Sequence, residues 1–348
     1  MSKCPPLRAR AYVPAFAIIL PLNFLALGAA QPMTAQSTGT LLVAEKGAQS
    51  LALIDPATGH LLASIPEGGI TGHEVAASKD GRYAYVPIYG NSGVGKPGTD
   101  GSTLVTIDIP ARKVVSTFDF HHGVRPHSPV LGPDGLLYVT TELDRTVSIF
   151  DLANPAAPKL IGSIPTGSVE SHLLALSHDG HYGYTANVGP GTVSVLDLKA
   201  RKLVTVIPLS KQVQRMSVSI DDKFAFTSDQ TKPQLAVIDT ATHKLKTWIP
   251  LPSPGYGTAP TPDGRWLLVC IMAENKVAVV DLQELKVVRT FDVPASPQAV
   301  LVRPDGVSAY VSCDKSNQVA ELDLKTWTVT RRIFTGKLAD GLAWAPAK

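Results

Sequence analysis

Residues 297–323 read PQAVLVRPDGVSAYVSCDKSNQVAELD, and this stretch decides the fold. Ala299-Val300-Leu301-Val302 is apolar, short and followed by Pro304-Asp305-Gly306, a tight-turn signal. Ala309-Tyr310-Val311-Ser312 resumes an extended pattern rich in β-forming residues. A polar break over 314–317 precedes Val319-Ala320-Glu321-Leu322, which ends in Asp323. Three short strands joined by turns fit within 27 residues, too few for helices of ordinary length.

The same arrangement recurs along the chain. The turn signal reappears at Asp80, Asp134, Asp179, Asp221 and Asp263 before Asp305, and the last intervals are 42 residues. Alternating apolar runs end in Asp at Asp55, Asp108, Asp151, Asp197, Asp239, Asp281 and Asp323, each followed by a short turn and another strand. A period in the low forties with four strands per unit is that of propeller blades. Six complete blades fit between Glu74 and Phe334. Three strands remain over 41–65 and one at Leu342-Ala343-Trp344-Ala345, which together make a seventh. Closing the ring this way leaves no long sheet edge exposed. The sequence therefore predicts an all-β, seven-bladed propeller of four-stranded blades over 38–348, closed by N-terminal and C-terminal strands.

The Pro-Asp-Gly turn, the Tyr-Val-Thr/Ser strand and the Ile/Leu-Asp ending together resemble the YVTN family of propeller repeats. The nearest copies are Tyr138-Val139-Thr140-Thr141, Tyr184-Thr185-Ala186-Asn187 and Tyr310-Val311-Ser312-Cys313. The resemblance covers most of the chain and implies the fold. Similar propellers include envelope binding proteins, lactonase-like enzymes, lyases and domains associated with heme or copper enzymes, so function has to come from a site.

The N-terminus differs from the repeats. Lys3, Arg8 and Arg10 precede an apolar run over 13–30, which ends in small residues, Gly28-Ala29-Ala30 and again Ala35. That order is expected of a signal peptide over 1–35, cleaved after Ala30 or Ala35. Cys4 lies ahead of the apolar run, so no lipid anchor is expected. Lys and Arg number 32 against 29 Asp and Glu, and the leader holds three of the basic residues and none of the acidic ones. The mature chain is then neutral, with no electrostatic case for nucleic acid or anionic membrane. It is expected to be periplasmic or secreted and monomeric, with no membrane-spanning segment after cleavage. Cys270 and Cys313 occupy near-equivalent strand positions in adjacent repeats, too far apart for a disulfide, and are expected as buried thiols.

Counting seven residues back from each Asp-Gly marker gives His73, His127, His172, Gln214, Tyr256 and Gln298, and aligning the last strand adds Asp340. These positions start the innermost strands and should ring the channel mouth. Loops on the same face bring Glu45, Tyr89, Glu142, Asn187, Asp229 and Asp314 as candidate neighbours, with Glu74 and Glu170 beside two of the histidines. The long loop from Gly90 to Gly101 should partly cover the mouth. It leads into no helix, so it is not a phosphate cradle. Ligand binding is expected at His73, His127, His172, Gln214, Tyr256, Gln298, Asp340, Glu45, Asn187 and Asp229.

Neutral imidazole binds transition metals, so His73, His127 and His172 are also candidate ligands for a divalent metal. His121-His122, in an irregular loop, is a weaker metal candidate. No Gly-x-Ser-x-Gly elbow occurs, and the candidate catalytic groups are His73, His127 or His172 with Glu142 as an acid–base pair. Three readings follow: a small ligand or periplasmic protein partner bound at this mouth; a lactonase-like hydrolase or lyase, with or without metal, at the same mouth; or a structural envelope scaffold.

Overall fold

Alternation forces each strand to bury one side, and the blades stack so that those sides meet. The computed structural model describes residues 1–3, 5–6 and 39–347; the expected leader, its cleavage sites and Cys4 lie outside the described residues or at their margin. Seven four-stranded antiparallel sheets form over 39–347. Blade 7 holds Pro297–Val302, Ser308–Cys313, Gln318–Asp323 and Thr328–Phe334 in that order from the channel outward. Blades 2 to 6 repeat the order. In blade 1 the innermost strand is the C-terminal Ala339–Pro346, paired antiparallel with Gly39–Glu45. The ring is thus closed by three strands from one end of the chain and one from the other, as the repeat count requires.

The Asp markers are turn devices. Asp323 accepts hydrogen bonds from the backbone N–H groups of Lys325 and Thr326, and Asp108, Asp197, Asp239 and Asp281 bond equivalent N–H groups. This local bonding is what favours Asp at turns. The inner turn lacks its glycine at Asp222, which adopts φ +56°. There the carboxylate accepts from the N–H groups of His178 and Asp179 in the neighbouring blade, at 2.8 and 2.9 Å. Interblade hydrogen bonds offset the left-handed conformation that glycine supplies elsewhere.

The apolar core lies between blades. Tyr85, Tyr138, Tyr184 and Tyr310 are fully buried. Tyr310 of blade 7 packs with Leu41 and Val43 of blade 1, and Tyr85 of blade 2 with Val139 and Phe150 of blade 3. Cys270 and Cys313 are free, buried thiols in the core shared by blades 6 and 7. Each blade therefore depends on its neighbours, and the channel-facing ends of the inner strands are held at fixed spacing.

Candidate functional site

The inner strands bring their first residues together at one end of the channel. His127 starts within Pro126–Leu131, His172 within Ser171–Leu176, Gln214 and Arg215 within Val213–Val218, and Asp340 within Ala339–Pro346. His73 and Tyr256 sit just ahead of the short inner strands Ala76–Ala77 and Thr258–Pro260. With Lys46, Tyr89 and Leu173 they line a cavity of about 140 Å³, flanked by Ser92, Gly93 and Val94 from the long loop of blade 2.

The histidines form an aromatic stack. The His127 and His172 rings lie 3.5 Å apart between centroids at 26°. His73 meets His127 edge-on at 5.4 Å, and Tyr89 contacts all three rings between 5.0 and 5.4 Å. Burial lowers the pKa of each histidine: His73 to about 4, His127 well below its usual value, and His172 likewise although Glu142 opposes the shift. All three are therefore neutral at pH 7. His127 is 2% exposed, and its Nδ1 has no hydrogen-bond partner.

Glu142 lies behind this stack. It accepts from the Tyr89 hydroxyl at 2.7 Å, from His172 Nδ1 at 3.1 Å and from Arg125 Nη1 at 3.3 Å. Burial pushes its carboxyl up, but His172, Tyr89 and Arg125 outweigh burial and hold it below the ordinary range. Glu142 thereby fixes the His172 tautomer with Nδ1 protonated. Arg125 also donates to Asp100 at 2.7 Å, to the Lys96 carbonyl at 2.7 Å and to the Gly93 carbonyl at 3.4 Å. One guanidinium thus latches the long loop to the group that orients His172.

An ion network crosses the channel along the opposite wall of the cavity. Arg215 of blade 5 donates through Nη1 to Glu74 of blade 2, and through Nη2 to Asp340 of blade 1 at 2.9 Å. Lys46 Nζ donates to Asp340 at 3.1 Å, and the Arg215 guanidinium lies 5.0 Å over the Tyr256 ring. Burial raises Asp340, yet Lys46 and Arg215 outweigh it and leave the carboxyl below its ordinary value. Burial raises Glu74 to about 7 despite Arg215.

The structure thus brings His73, His127, His172, Gln214, Tyr256 and Asp340 to one cavity, with Glu142 one layer behind. Four of the expected ligand-binding residues are elsewhere. Glu45 accepts from Ser50, Ser64 and the Gly336 N–H, tying blade 1 together. Asn187 bonds Ser171, Thr192 and Ser194 inside blade 4. Asp229 holds its own turn through Thr231 and Gln234, and Gln298 donates to Ser296 Oγ and Met272 Sδ. Their polar atoms are occupied within their own blades or, for Glu45 and Gln298, at the next turn.

His73, His127 and His172 were also expected as candidate metal ligands. Among the described residues no three His, Cys, Asp or Glu side chains are arranged to hold an ion, because these rings stack on one another instead of converging on a point. His121-His122 forms no such group either; His122 Nε2 pairs with Asp144 at 2.9 Å in an exposed groove. Lys46, Arg215 and the Arg125 latch were not singled out by the repeat alignment. Their one signal was position, each within two residues of a candidate: Glu45, Gln214 or His127.

Residues 99–302 match the profile described as the cytochrome D1 heme domain, more than half of the chain. The chain belongs to the cytochrome D1 heme domain family. No curated protein matches it in sequence. Among solved structures it is similar to Kuenenia stuttgartiensis hydrazine synthase, with TM-score 0.71 and 18% identity over 82% of this chain and 93% of that one. It is similar to dihydro-heme d1 dehydrogenase NirN in complex with DHE, with TM-score 0.60 and 17% identity over 88% and 75%. A functionally unknown protein from Desulfotomaculum acetoxidans DSM 771 gives TM-score 0.73 and 15% identity over 89% and 100%. At these identities the likenesses establish the propeller alone.

Membership of the cytochrome D1 heme domain family raises the question whether the mouth fits a heme. The donor chemistry is suitable: His127 offers a neutral imidazole with an unpartnered nitrogen, and imidazole is a common heme-iron ligand. The space is not. Pockets for drug-sized ligands run from ~300 to 1,000 Å³, whereas this cavity measures about 140 Å³. With the Gly90–Gly101 loop latched down, a macrocycle does not fit.

Proposed function

We propose that this protein is an exported propeller that binds a small polar ligand in the histidine-lined channel mouth. One observation carries the reading: a cavity lined by residues from six blades, among them His127, whose buried Nδ1 has no hydrogen-bond partner. Convergent polar groups in a concavity, with perturbed ionisation, are the usual mark of a binding site. Export is supported by the basic, apolar and small-residue order of the leader. The YVTN-like repeats account for the scaffold, and the residues that vary among them account for the site.

The test is a thermal-shift screen of the mature protein against small carboxylates, amides, lactones and alcohols. A ligand at 100 times its Kd stabilises the folded state by about 2.7 kcal/mol. The stabilisation should disappear in His127→Ala while that variant stays folded. Repeatable lactone turnover would replace the binding reading with the hydrolase one. A second reading, tetrapyrrole binding, is favoured by the family match and requires the loop to lift from its Arg125 latch. It predicts a shifted Soret band on heme addition, stronger in Arg125→Ala than in the wild type.

A further inference from the structure

We propose that the ligand of this cavity is a small anion, a carboxylate of a few heavy atoms, received by Arg215 and His127; this rests on the mouth being the binding site.

The first support is backbone geometry. Arg215 adopts φ +63°, where the inner strand of blade 5 loses register with its neighbour between Gln214 and Ser217. A bulky side chain at positive φ is costly and persists where the surroundings over-determine it. Here the distortion accompanies a guanidinium that reaches carboxylates on two other blades. The second support is an unfilled donor, Arg215 Nε, beside an unpartnered ring nitrogen of His127 that donates in one neutral tautomer and accepts in the other. Arg215 Nε and His127 Nδ1 are both buried without a partner, on two residues that line the same cavity. Arginine nitrogens only donate, and an unsatisfied buried donor costs ~1–3 kcal/mol. An oxyanion supplies acceptors; a cation or a pure donor does not.

The third support is charge. Two cations, Arg215 and Lys46, are faced by three carboxylates: Asp340, Glu74, and Asp314 at 3.9 Å from Lys46. The three histidines are neutral, and Arg125 with Glu142 forms an ion pair one layer out. Glu74 faces Arg215, Asp340 and Lys46, and burial leaves it close to half protonated at neutral pH. Protonation removes one negative charge from beside Arg215 and so lowers the repulsion that an entering monoanion meets. The last support is size. At ~30 Å³ per water, about 140 Å³ holds roughly four or five waters, or an anion of comparable size.

Anion binding should therefore be linked to the proton on Glu74. With that pKa about 7, acetate affinity should fall roughly tenfold from pH 6 to pH 8. The experiment is isothermal titration of the mature protein with acetate and with its neutral isostere acetamide at both pH values. Acetate should bind at least tenfold more tightly than acetamide at pH 6. Glu74→Gln should keep acetate binding and flatten its pH dependence. Arg215→Met should lose the preference for acetate; if it fails to fold, the acetate–acetamide ratio and the Glu74→Gln profile still decide. Equal binding of acetate and acetamide, or acetate binding unaffected by pH, overturns the anion assignment. If acetamide binds and His127→Ala abolishes it, the site stands and only the anion class falls. If neither probe binds and the wider ligand screen is also empty, both fall.

Discussion

Asp340→Asn tests the network that joins the two ends of the chain across the channel. Asp340 is 4% exposed and accepts from Lys46 at 3.1 Å and from Arg215 at 2.9 Å. Asparagine keeps the shape and one acceptor but removes the charge and turns an amide donor toward a cation. Removing one partner from a buried ion pair costs ~3–5 kcal/mol, mostly because the other charge stays buried. Glu74 still contacts Arg215, so the lower half of that range applies, about 3–4 kcal/mol. At ~2 °C per kcal/mol for a chain of this size, Tm should drop by roughly 6–8 °C. Calorimetry at pH 7 and urea titration with an unchanged m-value would measure it. In the Asp340→Asn background, Arg215→Met should cost at least about 0.5 kcal/mol less than in the wild type, since the two side chains touch. A Tm within about 2 °C of the wild type, or strict additivity of the two substitutions, would refute the network.

Three other outcomes are expected. His73 has a folded pKa of about 4, below its unfolded value, so the unfolded state takes the proton first and stability is lost as pH falls from 6.5 toward 4. Glu67 and Glu74, each raised to about 7, act in the opposite sense between about 4.5 and 7; His73→Gln should accordingly make the change in stability from pH 7 to pH 5 more favourable by about 2 kcal/mol, and an unchanged urea-midpoint difference would contradict it. At Gly81, φ is +66° and an added Cβ would lie 1.8 Å from the Pro346 carbonyl oxygen, whereas at Gly135, φ is +83° with open space around it. Gly81→Ala should therefore destabilise by well over the ~1–2 kcal/mol of left-handed strain expected for Gly135→Ala, and equal effects would speak against ring closure at the C-terminal strand. Intact-mass analysis of periplasmic protein from a Gram-negative host should find Gln31 or Gln36 at the N-terminus; a mature protein retaining 1–30 would contradict export by cleavage.

The fold was legible because each blade repeats two local devices, an Asp-Gly inner turn and an Asp-capped outer turn, at nearly constant spacing. The alternating strands between them bury Tyr85, Tyr138, Tyr184 and Tyr310 in the interblade core. The cavity was legible only where a residue shares the repeated position, as His73, His127 and His172 do. Register irregularities hid the rest. Arg215 enters the cavity through a distorted strand start, and Lys46 through the loop after Glu45. Arg125 acts from a left-handed residue preceding Pro126, φ +49°. Conversely, Glu45, Asn187 and Asp229 were assigned by loop membership, and a loop position does not reveal that a side chain is satisfied by its own blade.

The central claim, that a small ligand occupies the histidine-lined cavity, is tested most directly by the ring nitrogens themselves. The measurement is NMR of mature protein carrying 15N-labelled histidine, titrated with acetate at pH 6. The resonances of His73, His127 and His172 should shift together and saturate, with His127 Nδ1 moving most as it gains its missing partner. His178 and His243, which do not line the cavity, should stay in place. Saturable shifts confined to those outer histidines, or no saturable shift in any ring, would contradict the account.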